Sequence, residues 1–324
     1  MHAGMCDVIR LELPTPFPVG PVNAWWLDGP EPVLIDTGVH TPSSLEALEA
    51  QLAARGRRLG DLRRILLTHD HYDHAGAAAE LHRKSGAEIC LHARSRLGAR
   101  WSPEELAELG RFAARCGLPA EVLARAQASF RRAARVVAPS PPDGALARLA
   151  GGERLPSPLG PLEVLATPGH APDHLCFLAR EAGLLFCGDT LLADITPNPI
   201  LHLDPEDGFR RRPSLLEYLA SLEALAGCGA RLAHPGHGPD LPDVAGLVVR
   251  NLEFIRERQA TFLAAVRGGA ETPHALARAV FGELDVTGQF LALSETVAYL
   301  DLLERDASLE VEWWRDPIHL LPAR

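Results

Sequence analysis

Thr68-His69-Asp70-His71-Tyr72-Asp73-His74-Ala75-Gly76 sets three histidines and two aspartates within six residues. The stretch follows an apolar run, Leu62 to Leu67, that reads as a strand, and opens into the Ala-rich segment Ala75 to Arg83, which reads as a helix. Packing alone gains little from so many ionisable groups at a strand end. A metal gains a great deal. Residues two apart in such a turn can point together, so His69 and His71 can meet one ion, while Asp73 and His74 swing onto its neighbour as the helix begins.

Outward from this stretch the same chemistry recurs at other strand ends. Pro168-Gly169-His170 follows the strand Leu162 to Ala166, Gly188-Asp189-Thr190 follows Leu184 to Cys187, and Pro235-Gly236-His237-Gly238 follows Arg231 to Ala233. Upstream, Val33 to Ile35 ends on Asp36. Ligands of open α/β folds gather beyond strand ends, and the glycines permit the tight turns that bring side chains inward. Strands alternating with the helices Thr41 to Leu52, Ala75 to Arg83 and Ser214 to Ala226 indicate an α/β core.

This set of motifs resembles the metallo-β-lactamase fold hydrolases, through the HxHxDH signature at His69 to His74, then His170, Asp189 and the GHG at His237, over roughly residues 15–240. The resemblance implies a four-layer αββα sandwich. It also implies two divalent metal ions, one held by His69, His71 and His170, the other by Asp73, His74 and His237, with Asp189 bridging. Zinc suits these imidazole and carboxylate ligands best, and iron or manganese also fits. A hydroxide bridging two metals, oriented by Asp73 as the catalytic residue, is the expected nucleophile. Asp36 resembles the family's aspartate that orients the ligand cluster, a role with a physical basis because a ligating imidazole needs a partner on its second nitrogen. His234, just before PGHG, reads as a supporting or packed residue. His174 resembles a structural histidine of relatives, Asp70 sits at a variable position, and Cys187 reads as core.

The substrate side is less constrained. Tyr72 can line the pocket mouth. His202 and the run Arg210-Arg211-Arg212 follow a Pro-rich loop and can bind a carboxylate or phosphate, or simply face solvent. Residues 94–142 read as a helical insertion: Ser102-Pro103 and Glu105 make a helix start, Leu106, Leu109 and Phe112 share one face, and a second helix carries Leu123 and Phe130. It can lid the site or form an outer layer.

The chain of 324 residues carries a formal net charge of −10, which disfavours a polyphosphate partner. Its six cysteines lack metal or disulfide spacing, and Met1 to Pro18 lacks the apolar run of a signal peptide, so a reduced cytosol is the expected compartment, with no membrane partner. Residues 1–243 read as the catalytic domain and 244–324 as a small, mainly helical domain. The latter resembles the winged-helix tail of lactamase-like proteins related to a mitochondrial endoribonuclease. From residue 251 onward, 7 Arg face 12 Asp and Glu, so the basic helix that phosphate contact requires is missing. A small thioester, lactone or other ester is the expected substrate. Endoribonuclease or phosphodiesterase activity, mononuclear-iron persulfide oxidation, and a non-enzymatic metal- or DNA-binding regulator are the alternatives. A homodimer is compatible with all of them.

Overall fold

The computed structural model describes residues 7–98 and 102–323, and Cys6 and the side chains of residues 130, 133 and 134, Phe130 included, lie outside the described residues. In chain order the first half contains β1 (Val8–Leu13), β2 (Val22–Leu27), β3 (Val33–Ile35), α1 (Pro42–Ala53), β4 (Arg64–Leu66), α2 (Tyr72–Ala75), α3 (Ala78–Ser85), β5 (Glu88–His92), α4 (Pro103–Arg115), α5 (Ala120–Ala133) and β6 (Leu146–Leu149). These six strands form one sheet in sequential order. Its pairs are antiparallel from β1 to β3 and parallel from β3 to β6. Parallel neighbours need crossovers, which the helices between them supply.

The second sheet is built from β7 (Arg154–Leu155), β8 (Leu162–Ala166), β9 (Leu175–Ala179) and β10 (Leu184–Gly188). The short β11 (Leu203–Asp204) and β12 (Arg210–Arg211) and then α6 (Ser214–Ala226) follow, before β13 (Leu232–Pro235) completes the sheet. The order across it is β13-β10-β9-β8-β7.

Period-two alternation assigns the layers, because successive strand residues face opposite sides. Trp25, Ile35, Leu66, Phe177 and Phe186 meet between the two sheets. Their neighbours Trp26, Leu34, Ile65 and Leu67 face outward onto Leu48, Leu52 and Leu81 of α1 and α3. Cys176, Leu178, Leu185 and Cys187 face the other way, onto Leu215 and Leu222 of α6. Helix, sheet, sheet, helix is the αββα sandwich that the sequence implied. Burying these strands on both faces is what their near-continuous apolar runs specify.

The C-terminal part comprises α7 (Val244–Arg267), α8 (Pro273–Phe281), α9 (Val286–Arg305) and a hairpin of β14 (Leu309–Glu312) with β15 (His319–Pro322). It closes no core of its own: Leu247, Val248, Leu293, Val297, Leu300 and Leu303 belong to the same apolar cluster as α6 and the outer face of the second sheet. The insertion joins them. Ser102 forms the expected capping box with Glu105, Leu109 and Ala113 of α4 enter that cluster, and Ile318 N–H donates to the Arg115 carbonyl at 2.7 Å. The five described cysteines are free and buried.

Candidate metal centre

β3 and β4 run the same way in the first sheet, as do β8, β10 and β13 in the second, and the loops leaving them carry Asp36, the 69–74 cluster, His170, Asp189 and His237 to one place. The ligand atoms of His69, His71 and His170 lie within 4.8 Å of one another, as do those of His69, His74 and Asp189, and those of Asp73, His74 and His237. Asp189 spans the set, with Oδ1 3.4 Å from His74 Nε2 and Oδ2 3.7 Å from both His170 Nε2 and His237 Nε2. Asp73 Oδ2 lies 3.4 Å from His237 Nε2.

Hydrogen bonds outside the cluster fix which nitrogen each imidazole turns inward. His74 Nδ1 meets Asp36 Oδ2 at 2.8 Å, His170 Nδ1 the Asn198 carbonyl at 2.9 Å, and His237 Nδ1 the Pro21 carbonyl at 2.8 Å. His69 Nδ1 meets the Thr68 hydroxyl at 3.0 Å, which in turn donates to the Asp36 carboxylate. With Nδ1–H engaged, Nε2 of these four rings is the atom that faces the centre and that ligates once unprotonated. His71 presents Nδ1 instead, 2.9 Å from His69 Nε2 and 3.0 Å from His170 Nε2.

The donor set fits divalent metals on the structure's own terms. His74 Nε2, His237 Nε2 and Asp189 Oδ1 are buried without a hydrogen-bond partner, a costly arrangement unless a cation completes it. Burial, reinforced by the neighbouring histidines, holds His69 and His71 well below the usual imidazole range, in the neutral form that ligates. Burial opposes ionisation of Asp189 and Asp73, yet the surrounding imidazoles keep both carboxyls below their ordinary range. Gly236 shows how closely the loops approach: a Cβ there would overlap Asp189 Oδ1 and lie 2.5 Å from His74 Cε1. Gly169, at φ 143°, would set one 2.5 Å from Tyr218 Cβ.

Beside the cluster lies a cavity of about 460 Å³ whose walls include Asp70, Tyr72, Glu105, Asp173, His202 and Arg212. Asp70 and Tyr72, which alternate with the ligands, line it. Asp70 also accepts the Arg96 N–H at 2.8 Å, tying the start of the insertion to the ligand loop. Burial and the facing Asp70 push the Asp173 carboxyl well above its usual range. Burial, His170 and Arg212 lower the His202 imidazole to about 4.

Of the run Arg210-Arg211-Arg212, which the sequence left open between substrate contact and solvent, only Arg212 lines this cavity. Adjacent strand residues point opposite ways. Arg211 is drawn to Asp301 of α9, 2.6 Å from Oδ1, and stacks over the Trp313 ring at 4.3 Å, while exposed Arg210 lies 3.6 Å from Asp207. Arg212 is itself paired with Glu217 and Asp204. His234 packs against Trp25, ring centroids 4.3 Å apart, and bonds Asp240 rather than a ligand. Cys187 is fully buried and burial pushes its thiol well above the usual range, so it is no nucleophile.

Several residues support the ligands, and apart from His174, which resembles a structural histidine of relatives, they carry no clear signal in the sequence. His174 Nε2 accepts the Asp189 N–H at 3.1 Å, and its ring stacks on His69 at 4.8 Å. Asn23 Nδ2 donates to the carbonyls of Pro235 and Gly238, and Trp25 Nε1 to that of Pro235, bracing the turn that carries His237. Thr68 and Asn198 act through hydrogen bonds for which the sequence offers no periodic signal.

Comparison with known proteins shows the family and the fold. A family model of the metallo-beta-lactamase superfamily matches residues 17–237. The probable metallo-hydrolase YqjP of Bacillus subtilis (strain 168) is 29% identical over 320 residues, covering 95% of each chain. The atrochrysone carboxyl ACP thioesterase of Aspergillus fumigatus is 27% identical over 279 residues, 82% of this chain and 70% of that one. Among solved structures, the metallo-beta-lactamase family protein TTHA1429 from Thermus thermophilus superposes with a TM-score of 0.82 at 30% identity, covering 97% of this chain and 98% of that one. A beta-lactamase domain protein from Burkholderia ambifaria shares the fold, with a TM-score of 0.77 at 23% identity over 99% and 95% of the two chains. By fold, ligand constellation and sequence, the chain belongs to the metallo-beta-lactamase superfamily of hydrolases.

Proposed function

We propose that the chain hydrolyses a small acyl thioester or ester at a dinuclear centre, most readily of zinc, held by His69, His71, His170, Asp73, His74, His237 and Asp189. The observation that carries this is the convergence of two histidine-containing triads on one bridging carboxylate, with buried orphan atoms of His74, His237 and Asp189 aimed between them. Two divalent cations bound there supply the Lewis acidity that activates water and polarises an acyl carbonyl.

The chain's own residues do the rest. Asp73, kept ionised by His74 and His237, accepts a hydrogen bond from the attacking water and orients it. Asp36 and Thr68 hold His74 and His69 on target. Tyr72, His202 and Arg212 receive the polar part of the acyl group at the cavity wall. A cavity of about 460 Å³ suits a small molecule, and the acidic C-terminal part offers no track for a nucleic-acid backbone. The thioesterase among the relatives supports the choice of a thioester. Among the described residues no helix is long and apolar enough to cross a membrane.

Steady-state turnover of acyl thioesters, lactones and esters, set against single-stranded RNA and a phosphodiester reporter, tests the proposal with Asp73→Asn as control. Turnover of the acyl panel alone, abolished by Asp73→Asn, is expected. RNA cleavage with the same dependence would overturn the acyl assignment.

A further inference from the structure

Two hydrogen-bond relays run from the C-terminal helices to the metal centre. In the first, His170 Nδ1 donates to the Asn198 carbonyl at 2.9 Å, and Asn198 Nδ2 donates to the Leu291 carbonyl of α9 at 3.1 Å. Asn198 is flanked by Pro197 and Pro199. Proline on its C-terminal side confines Asn198 to extended backbone, and two fixed φ angles stiffen the segment. A stiff three-residue link therefore passes the position of α9 to the imidazole of His170.

In the second relay the Tyr218 hydroxyl of α6 donates to the Thr190 carbonyl at 2.8 Å and lies 3.3 Å from Oδ1 of Asn251 in α7. Asn251 is itself oriented by donation from Nδ2 to the Leu247 carbonyl at 2.9 Å. Thr190 follows Asp189 directly, and Tyr218 also packs against Gly169, the residue before His170. Tyr218 and Asn251 are both buried, so this relay does not compete with bulk water.

We infer that α7 and α9 are a working part of the metal centre, with Asn198 and Tyr218 as positioning residues that set the directions of His170 and Asp189. The shared apolar cluster makes this mechanically direct, because helices packed into the same core as β10 and α6 cannot shift without moving the ligand loops. The inference rests on the assignment of His170 and Asp189 as ligands. Partners that orient ligands change metal affinity by about 10- to 100-fold when removed, whereas a core residue that merely supports the fold does not.

The test uses the full chain with Asn198→Ala, Tyr218→Phe, the core control Leu52→Ala in α1, outside the shared cluster, and the ligand control His170→Ala. Zinc affinity is measured by chelator competition, ligand geometry by the visible bands of the cobalt(II)-loaded protein, and stability by thermal melting. Asn198→Ala keeps the carbonyl that holds His170 and cuts its tie to α9, and Tyr218→Phe cuts the tie to the Thr190 carbonyl; each is expected to weaken zinc binding by about tenfold, the low end for loss of an orienting partner, and to shift the cobalt bands. Leu52→Ala is expected to lower the melting temperature and leave both readouts in place. Tyr218→Phe removes one hydroxyl without changing shape, so it serves even if Asn198→Ala folds poorly. Zinc affinities and cobalt bands like the wild type's for both positioning variants, with His170→Ala impaired, would overturn the inference alone. Undiminished affinity in His170→Ala would overturn the ligand assignment and the inference with it.

Discussion

Asp36 holds His74 through a 2.8 Å hydrogen bond from Nδ1 to Oδ2, and does so from a left-handed backbone conformation, φ 58°. Its other oxygen accepts the Thr68 N–H at 2.8 Å. One carboxylate thus ties the end of β3 to both sides of the HxHxDH turn. Non-glycine residues in this region store strain and persist where the surroundings fix them, often at functional sites. Asp36→Asn keeps the shape and removes the charge and one acceptor. It is expected to weaken zinc binding by about 10- to 100-fold, as chelator competition would report, with secondary structure retained by circular dichroism.

Gly236→Ala probes the closeness of the loops. The added methyl group would collide with Asp189 and His74, so the loop must retreat and separate the bridging carboxylate from its partners. Metal content of the purified variant is expected to fall well below that of the wild type, and hydrolysis by about 100-fold. Elemental analysis alongside turnover checks both.

His202 gives a pH signature in the metal-free protein. Its folded value of about 4 lies below the roughly 6.5 of an unfolded histidine, so between the two the unfolded chain binds the extra proton. Its contribution to stability is fully present above about pH 6.5 and is lost as pH falls towards 4. About 2 kcal/mol is expected to go by pH 5. Urea unfolding at pH 7.5 and pH 5 should show a smaller loss for His202→Gln than for the wild type.

Arg211 and Arg212 should separate stability from substrate binding. Asp301→Ala leaves a largely buried Arg211 without its carboxylate, and is expected to cost about 3 kcal/mol of stability while leaving KM unchanged. Arg212→Ala opens the cavity wall and is expected to raise KM about tenfold. Melting curves and steady-state kinetics on the two variants distinguish these roles.

The centre is legible in the sequence because its ligands are side chains that sit in short motifs at strand ends, where His and Asp have no packing purpose. The four layers follow from the family resemblance, and the alternation seen in the structure agrees with them, as at Trp25 and Trp26, which face opposite sides of β2. What stays hidden acts through backbone or across long separations. The carbonyls of Pro21 and Asn198 that orient His237 and His170 carry no residue-type signal. Asp301 captures Arg211 from 90 residues away, which no local pattern announces. β1 escapes the sequence reading although Leu11 and Leu13 alternate with charged neighbours, a signal blurred by the polar start of the chain. The C-terminal helices read as a separate domain because their texture changes at residue 244, yet their apolar faces complete the core of the second sheet.

The central claim is most directly tested by anomalous diffraction at the zinc edge from crystals of the zinc-loaded protein. Two peaks are predicted, one among His69, His71 and His170 and the other among Asp73, His74 and His237, with Asp189 reaching both. A single peak, or peaks elsewhere in the molecule, would contradict the dinuclear account.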